Sequence, residues 1–117
     1  MTANFDEMTL ESIWNEIDAK LKEKREPYKD MNTTYSINLT GEDGGQFGLK
    51  FLDGHAETIF GTPDESDCAL SMSVKDFKKL LAGNLNSAAS YMMGKLKIKG
   101  NLGLALKLEN LLKQYSF

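Results

Sequence analysis

The chain has 117 residues, a formal net charge of −3, and 41% hydrophobic and 26% charged residues, which is typical of one globular domain with a sizeable core. Its single cysteine excludes an internal disulfide, and no apolar run approaches the roughly 20 residues of a bilayer-spanning helix. The N-terminus lacks the basic and apolar regions of a secretory signal, so we expect a reducing, cytoplasmic setting.

The charge is distributed unevenly along the chain. Residues 1–67 carry 6 Lys or Arg and 15 acids, whereas residues 68–117 carry 8 Lys and 2 acids. A lysine-rich half can attract phosphates or an anionic membrane surface through its local field. Alternatively, the two halves pack against each other and their charges complement one another. The sequence leaves both interpretations open.

The first predicted element is a helix of about four turns with one narrow apolar face. Thr9 is a plausible N-cap, and Pro27 ends the helical pattern. The side chains at helical spacing are Leu10, Ile13, Trp14, Ile17 and Leu21.

Alternating segments then predict three strands. Asp53-Gly54 is a strong signal for a two-residue hairpin turn, and it pairs Lys50 with Glu57 as a cross-strand ion pair. The inner face of the hairpin then collects Phe47, Leu49, Phe51, Ala56 and Phe60. A polar loop follows, and the alternation at residues 68–74 predicts a fourth strand.

The second half continues with two short helices, a strand and a final helix. Ser73 and Ser87 are the expected caps of the short helices, the second of which reaches Met93, and Asn101 is the expected cap of the last helix. Leu96 and Ile98 predict a fifth strand whose opposite face carries Lys95, Lys97 and Lys99. The pattern predicts one α+β domain over residues 1–117, with helices on one face of a five-stranded, mainly antiparallel sheet.

The last helix has more leucine than one packing face requires. Its apolar face consists of Leu104, Ala105, Leu108, Leu111, Leu112 and Tyr115. Leu102 and Leu106 fall outside this face, so they either contact a second packed element or border a cavity.

Residues that support catalysis are scarce. His55, the lone histidine, is expected at the surface, and Cys68 is expected in the core. We find no nucleotide, metal or nucleophile motif, and we predict no cofactor and no enzyme activity. Leucine and isoleucine between the strand lysines, with a pI near 5.1, argue against nucleic acid.

Several segments resemble the sterol carrier protein type 2 family. They are residues 67–73, Asp76-Phe77, 81–83, Asn86 and, above all, 94–108, which read Gly-Lys-Leu-Lys-Ile-Lys-Gly-Asn-Leu-Gly-Leu-Ala-Leu-Lys-Leu. Two departures are the Asn86-Ser-Ala-Ala sequence before the second short helix and the C-terminal Gln-Tyr-Ser-Phe, which is not a peroxisomal import tripeptide. The second departure favours a cytoplasmic homologue, and because no enzyme domain is fused to it we expect the stand-alone form of the family.

The resemblance implies an apolar tunnel between sheet and helices that binds fatty acids, fatty acyl-CoA, sterols or phospholipids without catalysis. It also implies transient contact with a membrane surface, and we expect a monomer. The expected tunnel wall consists of Trp14, Ile17, Phe47, Phe51, Leu70, Tyr91, Met92, Leu102 and Leu106. The alternative is a ligand-free interaction module that docks onto enzymes of lipid metabolism. Lys95, Lys97 and Lys99 either meet headgroup or CoA phosphates or form a solvated strand face.

Overall fold

The structure, a computed structural model, describes residues 8–41, 44–115 and 117. Within these residues the chain forms, in order, α1 (Leu10–Glu23), a 3-10 turn (Glu26–Tyr28), β1 (Thr33–Thr40), β2 (Gly45–Leu52), β3 (His55–Phe60), β4 (Cys68–Ser73), α2 (Val74–Leu81), α3 (Ser87–Met92), β5 (Lys97–Gly100) and α4 (Leu102–Leu112). None of these helices has the length and hydropathy of a bilayer span.

The five strands form one mixed sheet in the order β3-β2-β1-β4-β5. Three neighbouring pairs are antiparallel, and the central pair, β1 with β4, is parallel. The predicted α+β class and the mainly antiparallel sheet are therefore confirmed. The sheet order leaves β3 and β5 at opposite edges.

The helix caps follow the sequence with one exception. The side chains of Thr9, Ser73 and Asn101 accept hydrogen bonds from backbone N–H groups in the first turns of α1, α2 and α4. The prediction that Ser87 caps α3 is wrong. Asn86 caps it instead, because its side-chain oxygen accepts the Ala89 N–H at 3.0 Å and leaves Ser87 as the first helical residue.

The β2–β3 hairpin has the predicted register, including the pairs Lys50–Glu57 and Phe47–Phe60. The predicted Lys50–Glu57 ion pair is wrong, because these two charged groups do not lie within 4 Å of each other. Both side chains are exposed, where water solvates each charge and an ion pair contributes little. Phe60 is 55% exposed rather than internal, because it ends an edge strand.

The core lies between the inner face of the sheet and the helices. Alternate residues of β1, β2 and β4 are buried, while the residues between them are mostly polar or small. The helices contribute the inward residues of α1, α2 and α4, and the predicted inward face of α2, Phe77, Leu80 and Leu81, is confirmed. A sheet covered on one side is the architecture that the period-two strands indicate.

Candidate functional site

Five of the nine residues predicted to line the ligand site lie in the buried core. Trp14 and Ile17 come from the inward face of α1, where positions three apart lie side by side. Phe47 and Phe51 point inward from β2, and Leu70 points inward from β4. All five are at most 8% exposed, so α1 and the sheet bring them into one apolar layer.

Trp14 occupies the centre of an aromatic cluster in this layer. Its ring centroid lies 4.9 Å from that of Phe47 and 5.5 Å from that of Phe77. Phe47 in turn lies 6.0 Å from Phe60. Sequence reasoning predicted that Phe77 faces inward but did not assign it to the site, because only the packing of α2 brings it to α1.

Phe51 belongs to a second cluster that contains two tyrosines. The ring centroids of Tyr28 and Tyr35 lie 5.2 Å and 6.1 Å from that of Phe51. Tyr28 Oη donates to the Leu21 carbonyl at 2.6 Å, and Tyr35 Oη donates to the Leu104 carbonyl at 2.8 Å. Burial raises the pKa of both tyrosines, so both remain neutral donors at physiological pH. Sequence reasoning did not place either tyrosine at the site.

The indole N–H of Trp14, unlike the two tyrosine hydroxyls, makes no hydrogen bond to the described residues. Trp14 Nε1 is nonetheless buried, since the side chain is only 1% exposed. Buried tryptophan N–H groups usually find an acceptor, and leaving one unpaired costs about 1–3 kcal/mol. An oxygen atom entering this apolar layer would therefore find a donor ready to bind it.

The remaining four predicted residues lie away from this layer. Tyr91, Met92 and Leu102 are 44%, 85% and 37% exposed, respectively. Leu106 is half-buried and borders a surface groove of about 390 Å³ that it shares with Pro27 and Met31. Leu102 and Leu106 thus stand outside the core face of α4, as their positions on the helix predict.

The two residues with reactive side chains match their predicted places. His55 is exposed, and Cys68 is 1% exposed. Burial, with a smaller contribution from the charge of Asp67, raises the pKa of the Cys68 thiol and keeps it protonated. Within the described ranges, no group of three or more His, Cys, Asp or Glu side chains could hold a metal ion.

Glu109 joins α3 to α4. Its side chain is 12% exposed, and its two oxygens accept the Ser87 N–H at 2.6 Å and the Lys113 ammonium at 3.0 Å. Burial opposes the charged form, but the hydrogen bonds from Ser87 and the Lys113 charge outweigh it and lower the pKa of Glu109. Glu109, an acid of the lysine-rich half, thus connects α3 to α4.

The charges of the two halves do not pair in the part of the chain that the structure describes. Its four ion pairs all join residues three or four positions apart. The halves instead meet through backbone pairing of β1 with β4 and through apolar packing. Because β3 and β5 form opposite edges, Lys97 and Lys99 of β5 lie far from Glu57 of β3.

A family model described as the SCP-2 sterol transfer family matches residues 14–113, a range that includes all nine predicted site residues. Hydroxysteroid dehydrogenase-like protein 2 of Bos taurus is 42% identical over 87 residues, which are 74% of this chain and 21% of that protein. The chain therefore spans about a fifth of the length of this curated relative.

Two solved structures share the fold. Sterol Carrier Protein 2 from Yarrowia lipolytica, in its apo form, superposes with a TM-score of 0.71 at 27% identity and 89% coverage of both chains. Palmitated SCP2L2 from Aedes aegypti superposes with a TM-score of 0.70 at 17% identity, covering 94% of this chain and 99% of that one.

Proposed function

Because the chain belongs to the SCP-2 sterol transfer family, we propose that it is a non-catalytic carrier of apolar lipids. Its ligands are fatty acids, fatty acyl-CoA, sterols or phospholipids, which it binds as a monomer. Family membership supports lipid binding and transfer in general, and the palmitated state of the Aedes aegypti protein supports a fatty acid as the first ligand to test. The single buried thiol of Cys68 fits a reducing compartment such as the cytoplasm.

The ligand occupies a tunnel between the inner sheet face and the helices. Trp14, Ile17, Phe47, Phe51 and Leu70 surround its apolar chain, and each buried CH₂ group contributes about 0.8 kcal/mol. Tyr91, Met92, Leu102 and Leu106 contact the ligand nearer to the surface. Side chains in the core must shift to admit the lipid chain. The proposal therefore predicts that core side chains occupy different positions in the loaded and the empty protein.

The observation that carries the proposal is the unpaired N–H of Trp14 inside an otherwise apolar layer. A hydroxyl or protonated carboxyl oxygen of a lipid supplies the acceptor that this donor lacks, whereas an ionised carboxylate would be costly to bury beside one neutral donor. An apolar body that carries one such group is the chemistry of a sterol or of a fatty acid in its neutral form.

A binding titration tests the proposal. The natively purified protein is extracted for bound lipid and then titrated with cis-parinaric acid, a fluorescent fatty acid, while energy transfer from Trp14 is followed. Because Trp14 is the only tryptophan, its emission reports on the site alone. We expect saturable transfer that palmitate reverses. The absence of extracted lipid, combined with no displacement at tens of micromolar probe, would contradict the carrier function and favour the interaction module.

A matched pair of variants locates the site. Leu70→Phe enlarges a residue on the inner face and should weaken parinarate binding at least tenfold, whereas Leu52→Phe makes the same change at an exposed outer position and should not. Far-ultraviolet circular dichroism checks that both variants fold. If Leu70→Phe unfolds the protein, Leu70→Met replaces it, with a smaller expected loss. Equal binding by folded inner-face variants and wild type would place the ligand elsewhere.

A further inference from the structure

Helix α3 buries polar side chains and exposes large apolar ones, the opposite of a usual surface helix. It buries two serines, Ser87 and Ser90, which are 3% and 8% exposed. Its C-terminal end instead presents Tyr91, Met92 and Met93, which are 44%, 85% and 67% exposed. A helix on a globular core normally turns its apolar side chains inward. Three consecutive large apolar residues facing water indicate an apolar partner outside the chain.

The exposed run is held in place rather than frayed. The backbone N–H groups of Lys95 and Leu96 both donate to the Ser90 carbonyl, at 2.9 and 3.1 Å, and the Met93 N–H donates to the Ala89 carbonyl at 3.0 Å. Leu96, which is 3% exposed, anchors the following segment in the core. Gly94 adopts φ +78, a left-handed conformation that glycine tolerates, and reverses the chain there. The fold therefore keeps the methionines pointing outward.

Lysines adjoin these apolar side chains. Lys95 follows the turn, and Lys97 and Lys99 share the outer face of β5, while Ile98 between them packs against the core. Among the described residues, none of these three ammonium groups lies within 4 Å of a carboxylate. Residues 84–117 carry five lysines and one acid, Glu109, which is already paired with Lys113. An uncompensated positive surface thus borders the apolar residues.

We propose that residues 91–97, which we call the α3–β5 corner, dock onto an anionic phospholipid bilayer. Tyr91, Met92 and Met93 enter the boundary between headgroups and acyl chains, and the lysines contact lipid phosphates. Flexible methionine side chains suit an irregular, fluid surface. A symmetric contact between two copies would bring the lysines of both corners together, so repulsion disfavours self-association. The corner shares Tyr91 and Met92 with the proposed ligand site, but docking needs no lipid inside the protein, so this surface goes beyond the proposed function.

Co-sedimentation with vesicles tests the docking surface on the full chain. We expect binding to phosphatidylcholine vesicles that contain about 30% phosphatidylserine, weaker binding to phosphatidylcholine alone, and loss of binding as salt is raised. Met92→Ser/Met93→Ser should weaken binding to the mixed vesicles at least tenfold. Lys95→Gln/Lys97→Gln should weaken it at least fivefold and reduce its salt dependence.

Two matched controls separate a local surface from general effects. Leu52→Ser removes an exposed apolar side chain from β2, and Lys75→Gln/Lys79→Gln removes the same charge from α2. Both should bind vesicles like wild type. Equal losses in test and control variants would overturn the proposal, as would no binding to anionic vesicles or concentration-dependent self-association that the methionine variant abolishes. Because parinarate titration needs no vesicles, it shows independently whether ligand binding survives in each variant.

Discussion

Single side chains join parts of the molecule that are far apart in sequence. Tyr35 extends from the central strand, and its hydroxyl reaches the Leu104 carbonyl in the first turn of α4. Within α4 the Leu104 carbonyl also accepts the helical N–H four residues further on, so losing the tyrosine bond removes one hydrogen bond without leaving the carbonyl unpaired. Tyr35 is thus an apolar core residue whose polar atom also positions α4 over the sheet.

Tyr35→Phe should lower the free energy of unfolding by about 0.5–1.5 kcal/mol, the net contribution of one hydrogen bond, since it removes the donor to the Leu104 carbonyl. Urea unfolding measures the change, and Tyr91→Phe at an exposed position is the control. Because the pKa of Tyr35 is raised, its contribution to the free energy of unfolding is fully present below the unfolded pKa of about 10. The contribution is lost as pH rises from there through the raised pKa of the folded protein. Tyr35→Phe should therefore also reduce the alkaline loss of stability, and an unchanged alkaline profile would contradict this role.

At the scale of elements, α3 depends on its neighbours because it has only six residues. An isolated helix of this length is not stable in water. Asn86 caps it, and the Glu109 carboxylate accepts the Ser87 N–H from the side of α4. These polar contacts, together with Leu96 in the core, determine which way its apolar end points.

Glu109→Gln should destabilise the protein by about 1–2 kcal/mol at neutral pH, because a charge-assisted bond to Ser87 and an ion pair to Lys113 are weakened. The lowered pKa of Glu109 means that its contribution is present above the unfolded value of about 4.3 and is lost as pH falls through the folded value. Unfolding followed from about pH 7 to pH 3 should thus show a shallower acid loss in the variant. Glu57→Gln, at an exposed site, is the control, and identical profiles for both variants would refute the link.

The whole molecule is organised around β1. This strand pairs with β2 on one side and with β4 on the other, whereas β3 and β5 each leave one edge unpaired within the sheet. The same order places Lys97 and Lys99 of β5 at the edge of the sheet opposite Glu57 of β3. The β5 edge therefore adjoins the proposed docking surface.

Amide hydrogen exchange should reflect this order. We expect the slowest exchange in β1, because this strand is paired on both sides and its N–H groups exchange only when the sheet opens. Exchange should be faster in β5, a four-residue edge strand. Exchange of β5 as slow as that of β1, measured at the same pH, would show that another element or a second chain covers this edge.

Much of the fold could be predicted from the sequence because it depends on residues close together in the chain. The Asp53-Gly54 turn determines the hairpin register, and the caps at Thr9, Ser73 and Asn101 lie within three residues of the groups they bind. Periodicity likewise predicts the buried face of α1 and its Trp14 and Ile17. The cap of α3 differs by one residue, since Asn86 and Ser87 are both good caps and only the contact with Glu109 distinguishes them.

The sequence by itself thus determined the elements, their inward faces and the family to which the chain belongs. Tertiary structure alone decided the parallel pairing of β1 with β4, the packing of Phe77 on Trp14, and the outward direction of Tyr91, Met92 and Met93. Local patterns cannot specify these features, because they depend on which distant segment comes to lie beside each residue. For the site, this means that five of nine predicted residues could be assigned to one buried layer only after the helices and the sheet were placed together.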